Sequence, residues 1–93
     1  MSMTYKIKPY KFEAFEYDPH DLKPSWFMDM LKNKSAREYS SLSKEGVPYA
    51  EIKTEVGTLK AYVGYYITYD EFGYVSVVHP DAFVFYGNKL NID

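Results

Sequence analysis

From residue 49 to residue 86 the chain consists almost entirely of β-forming residues, interrupted by short polar turns and isolated glycines at 57, 64 and 73. With no helical stretch between them, successive strands must pair with their chain neighbours, which makes an antiparallel sheet. Residues 49–56 alternate, with Ala50, Ile52, Thr54 and Val56 on one face and Glu51, Lys53 and Glu55 on the other. Val56-Gly57-Thr58 turns the chain toward a strand over 59–63. Segments 65–69 and 74–78 pair across Asp70-Glu71-Phe72-Gly73, with Gly73 where a turn requires positive φ. Beyond a His79-Pro80-Asp81 turn, a last strand is expected over 83–86 and a polar tail over 87–93.

The first half is less uniform. Residues 5–17 read as one strand whose alternation changes parity at Pro9, the mark of a bulge or an edge. Past it, Phe12 and Ala14 face one way and Phe15 and Tyr17 the other, so both faces are covered there. Asp18-Pro19-His20-Asp21 is a turn, and Asp21 is the expected helix cap, with Pro24 in the first turn. Trp26, Phe27, Met30 and Leu31 fall on one stripe of a short helix, and Lys32 and Lys34 suit the negative end of its dipole. Residues 35–48, rich in Ser, Lys, Glu and Gly, read as a polar loop. The pattern predicts a single α+β domain over 1–93, a curled antiparallel sheet or small open barrel of five to six strands with one short helix packed on it.

Composition narrows the chemistry. There is no Cys, which excludes disulfides, thiolate zinc sites and thiol nucleophiles. Six Phe, eleven Tyr and one Trp outnumber Leu, Ile and Val together, so rings must supply much of the core. A core this small gains from self-association, and a homodimer would be unsurprising. The net charge of −2 is spread without blocks, and Arg37 is the only arginine, which disfavours nucleic-acid binding. No apolar run approaches the ~20 residues of a membrane span, and the first residues lack a signal peptide's apolar region. A cytoplasmic location is expected.

Three stretches carry a resemblance: Lys8-Pro9-Tyr10-Lys11-Phe12-Glu13-Ala14-Phe15-Glu16-Tyr17 at the start, Pro24-Ser25-Trp26-Phe27 at the helix, and 57–83. In the last, Gly57-Thr58-Leu59, Gly64, Tyr66-Ile67, Gly73 and Pro80-Asp81-Ala82-Phe83 stand in ungapped register. The chain resembles a widespread family of small uncharacterised proteins encoded by tailed phages and prophages. It departs from that family at Tyr65, where Asp is common, and at Val78, where Cys is frequent. The resemblance implies a phage or prophage origin, hence the host cytoplasm, and a fold like the one above; it carries no established activity.

Catalytic groups are scarce. His20 and His79 both lie beside prolines in expected turns, and a metal site would need both, joined by Asp18, Asp21 or Asp81 from distant parts of the chain. His79 and Asp81 flank Pro80 and could pair as acid and base, but a turn-capping Asp81 is the simpler expectation. No phosphate-binding glycine loop is present. The expectation is therefore a protein that is not an enzyme and needs no cofactor or metal.

The tyrosines carry more. Tyr62, Tyr65, Tyr69 and Tyr74, with Phe72 at a hairpin tip, are candidates for binding a host or phage protein, because Tyr gives rigid contact area at low entropic cost. Tyr65 and Tyr66 are consecutive in a strand, so they point to opposite faces. The leading expectation is an accessory protein-binding module, inhibition of a host replication or defence factor being one such role. The first alternative is sequestration of a nucleotide-like small molecule by Tyr66 with Lys53, Lys60, His79 and Asp81. The second is a homo-oligomeric structural or scaffolding protein.

Overall fold

The computed structural model describes residues 3–7, 10–40 and 46–82, with side chains from Phe12 onward. The protein is α+β. The described residues form seven strands: β1 (Met3–Ile7), β2 (Tyr10–Glu16), β3 (Ala36–Tyr39), β4 (Tyr49–Thr54), β5 (Gly57–Tyr62), β6 (Tyr66–Asp70) and β7 (Val75–Val78). One helix, α1 (Ser25–Lys32), lies between β2 and β3. All pairings are antiparallel, in a four-stranded sheet ordered β1-β2-β6-β7 and a three-stranded sheet ordered β3-β4-β5.

Among the described residues two sheets therefore stand where one curled sheet or small open barrel of five to six strands is expected, and the two extra strands have identifiable causes. Residues 5–17 are not one bulged strand. β1 and β2 pair antiparallel with Ile7 opposite Tyr10, so two strands stand where one is expected. Within the expected loop 35–48, Ala36–Tyr39 forms β3. Its alternation is hidden because the residue sharing a strand face with the buried Ala36 is charged: Glu38, whose side chain is 33 % exposed. The expected strand over 83–86 and tail over 87–93 lie outside the described residues, whereas 80–82 are helical.

The helix begins later than its capping signal. Pro24 occupies the N-cap position with no side-chain bond, and Asp21 serves the preceding loop, its backbone accepting a bond from Lys23 Nζ at 2.9 Å. At the other end Lys34 has φ +69°, a left-handed turn that drops the chain directly into β3.

One buried cluster joins both sheets and the helix: Phe15, Tyr17 and Ile67 from the first sheet and its flank, Ala36, Ala50, Ile52 and Ala61 from the second, and Phe27 from α1. The second sheet presents mostly alanine to this cluster, and that leaves room for the rings opposite. Phe27 packs against Phe15 at 5.2 Å and Tyr17 at 6.3 Å between ring centroids. Trp26 is only partly buried; it stacks on Tyr69 at 4.9 Å and donates Nε1–H to Glu13 Oε1 at 3.0 Å.

The opposite face of β2 is buried as well. Phe12 and Ala14 form a second small cluster with Tyr66 and Val78 against it, as the alternation beyond Pro9 predicts.

Candidate functional site

Two hairpin tips lie side by side, and the residues that shape them are polar and local. In the β4–β5 hairpin, Thr54 pairs with Gly57, leaving Glu55 and Val56 as the loop. The Thr54 hydroxyl donates to Gly57 O at 2.7 Å and accepts from Val56 N–H at 3.2 Å. In the β6–β7 hairpin, Asp70 Oδ1 accepts from Phe72 N–H and Tyr74 N–H, both at 2.9 Å, and Gly73 takes φ +90°. Backbone is thus tied down at both tips, by side chains that compete for turn N–H groups in the way short polar residues do.

What the tips display is apolar. Val56 is 91 % exposed, Phe72 65 % and Tyr74 62 %. Val56 stands two residues past the end of β4, in the turn, so it faces solvent rather than the core side its alternation predicts. Between the tips lies an open cleft of about 660 Å³, with Met30, Tyr69 and Val75 toward the core and Ser35, Lys53 and Glu55 supplying polar groups. Large exposed apolar groups bordering one concavity are the usual signature of a contact surface.

Of the expected partner-binding residues, the structure gathers Tyr69, Phe72 and Tyr74 here and takes Tyr62 and Tyr65 elsewhere. Those two belong to a chain of rings running Tyr39, Tyr49, Tyr62, Tyr65, His79, with successive centroids 4.9, 5.6, 5.5 and 5.0 Å apart. These rings bind one another across the outer side of the second sheet and onto the end of β7. The expected ligand set is dispersed too. Lys53 borders the cleft, Lys60 sits over the Tyr49 ring at 5.1 Å, and Tyr66 packs on the second cluster. Tyr65 and Tyr66 do point to opposite faces, and each finds a cluster to pack on.

At the last turn the roles of His79 and Asp81 are reversed. His79 Nδ1 accepts from Asp81 N–H at 3.2 Å, so the imidazole caps the turn and Asp81 does not. The Asp81 carboxylate is 3.9 Å from the same nitrogen, and both side chains are largely in solvent. Nothing shields this pair from water, which an acid–base dyad needs for a tuned proton transfer.

Sequence reasoning missed a polar cluster at the edge of the core. Tyr17 O–H donates to Glu38 Oε2 at 2.7 Å, and Lys23 Nζ lies 3.6 Å from the same oxygen. Lys23, its side chain only 7 % exposed, also donates to Pro19 O at 3.1 Å. The arrangement locks the loop before α1 to β3, and its hint in the sequence is slight, a lone Glu at an inward strand position. Burial, and then the carboxylate it bonds, push the Tyr17 phenol well above the ordinary tyrosine pKa. The phenol stays protonated in the fold while the unfolded chain's tyrosine ionises near pH ~10. This contribution is complete below that pH and falls above it by about 1.4 kcal/mol per pH unit. Tyr17→Phe should accordingly show a shallower loss of stability between pH ~10 and ~11 than the parent, measured by urea titration at each pH.

No helix among the described residues is long and apolar enough to cross a membrane. No protein-family model matches the chain, and neither a curated protein nor a solved structure matches it.

Proposed function

We propose that this chain is a non-catalytic protein-binding module that engages its partner through the cleft between the two hairpin tips. The observation that carries this reading is the placement of Val56, Phe72 and Tyr74, three large apolar side chains held in solvent around one concavity by polar turn contacts. Such a surface suits an apolar or aromatic anchor from another protein, with Lys53 and Glu55 forming a polar rim. Joined to the resemblance in its sequence, the reading is of a phage or prophage accessory protein acting in the host cytoplasm on a host or phage protein, inhibition of a replication or defence factor being its sharpest form.

Phe72→Ser with Tyr74→Ser tests it. Both side chains are exposed and the Asp70 contacts run to their backbone N–H groups, so stability should change by less than about 0.5 kcal/mol per substitution. Partner capture from host lysate should fall at least about tenfold. Val63→Ser, which removes an exposed apolar group at the opposite end of the strands, should leave capture unchanged. Equal capture by the double variant would sink the reading.

The nucleotide-sequestering alternative gains one observation, that Lys53 lies with Tyr69, Phe72 and Tyr74 along a cleft of ligand size. It predicts saturable heat on titration with ATP, lost on Lys53→Ala. The homo-oligomer alternative predicts that the same double variant turns an assembly into monomers in sedimentation.

A further inference from the structure

Among the described residues, β3 is bonded to β4 on one side only. Lys53 N–H donates to Ser35 O at 2.8 Å, which sets the phase of that ladder. Backbone groups in an antiparallel pair alternate in direction, so Ser35, Arg37 and Tyr39 turn theirs toward β4 while Ala36 and Glu38 turn theirs outward. Those outward groups have no hydrogen-bond partner among the described residues.

A groove of about 480 Å³ runs along this side. It is lined by Leu31, Lys34 and the four residues of β3, with no residue of β4, so it flanks the strand's open edge and not a face of the sheet. An open edge beside a groove is what strand addition uses: main-chain bonds supply affinity and the groove receives alternate side chains.

Charge selects the occupant. Lys34 and Arg37 are exposed, and neither side chain has an ion pair or hydrogen bond among the described residues. Glu51, directly across from Arg37, instead accepts from the Tyr39 hydroxyl at 3.3 Å. The groove's one carboxylate, Glu38, is turned inward to Tyr17 and Lys23. What the edge offers is a row of backbone groups and two cations that are unpaired among the described residues, one of the cations being the chain's only arginine. A second copy fits poorly, because antiparallel self-pairing centred on β3 would set Arg37 against Arg37 or Glu38 against Glu38, and like charges directly opposite are destabilising. Shifting the dyad to Ala36 would need Lys34 in extended backbone, but its φ is +69°.

We propose that this edge takes up an extended acidic segment of a partner protein, which adds a fourth strand beside β3. The site is separate from the cleft and does not rest on the cleft's function.

The test uses the full chain and synthetic peptides alternating Glu with Val, or Lys with Val, followed by amide hydrogen exchange. The acidic peptide should slow exchange at Ala36 and Glu38 by about tenfold or more, with little change at Phe72 and Tyr74. N-methylating the peptide backbone at its pairing positions, with charge unchanged, should remove the effect. Lys34→Glu combined with Arg37→Glu should transfer the protection to the Lys peptide, and that gain also shows that the variant is folded. No slowing with the acidic peptide, equal action by the N-methylated one, or concentration-dependent protection of Ala36 and Glu38 by the chain alone would overturn the proposal.

Discussion

Phe27→Ala should lower the unfolding free energy by about 3–5 kcal/mol, the largest loss expected from any single substitution in α1. Phe27 has no solvent exposure, and its ring meets Phe15, Tyr17 and Trp26. Two of those neighbours stand on or beside β2, whose backbone is paired on both sides, so the surroundings have little freedom to collapse into the space left behind. The transfer term and the cavity term therefore both apply. Trp26→Ala should cost less, despite the larger ring, because Trp26 is only partly buried and water can reach the vacated position. Urea unfolding of the two variants measures the order directly. A larger loss for Trp26→Ala would mean that the helix is anchored by its stack on Tyr69 and not by the shared core.

The second large effect is expected at Glu38. Glu38→Ala removes the acceptor of the buried Tyr17 hydroxyl and the carboxylate beside Lys23, leaving a phenol without its acceptor and a nearly buried ammonium without its counter-charge. Orphaned buried polar groups are costly, and the expected destabilisation is about 2–3 kcal/mol. Lys23 retains its bonds to Pro19 O and Asp21 O, which keeps the loss below that of a fully stranded charge. Because the three side chains act as a unit, Glu38→Ala with Lys23→Met should cost less than the sum of the two single changes, by about 0.5 kcal/mol or more. Strict additivity in a double-mutant cycle would show that the cluster is no unit at all.

How much of this was legible beforehand depends on how each residue signals. The β6–β7 hairpin is readable because Asp70 and Gly73 are turn residues at turn spacing and the flanking residues alternate. The helix is readable from its stripe, although its start is not. A capping signal at Asp21 competes with loop bonds that only the folded chain creates. β3 is concealed since Glu38, which shares a face with the buried Ala36, is charged and meets Tyr17 and Lys23 at the edge of the core. The antiparallel pair β1–β2 looks like one bulged strand because pairing Ile7 with Tyr10 shifts the alternation by one step, as a bulge would.

The candidate site was half legible for a related reason. Aromatic crowding from Tyr62 to Tyr74 is evident, but which rings remain available depends on partners far away in the sequence. Tyr62 and Tyr65 are absorbed by Tyr49 and His79, while Phe72 and Tyr74 are carried out by the turn. Val56 carries no local mark of exposure, since its place in the two-residue turn is set by Thr54 pairing with Gly57. The polar residues that shape both tips, Thr54 and Asp70, are ordinary turn formers whose joint effect is visible only once the hairpins lie side by side.

The most direct measurement is site-specific photo-crosslinking in host cells, with a benzoylphenylalanine probe placed at Phe72 in one sample and at Tyr62 in another. A cleft that engages a partner predicts a discrete crosslinked protein at position 72 and none at 62, whose ring is packed within the Tyr49–Tyr65 row. Crosslinks of equal yield at both positions, or at 62 alone, would contradict the cleft as the binding surface.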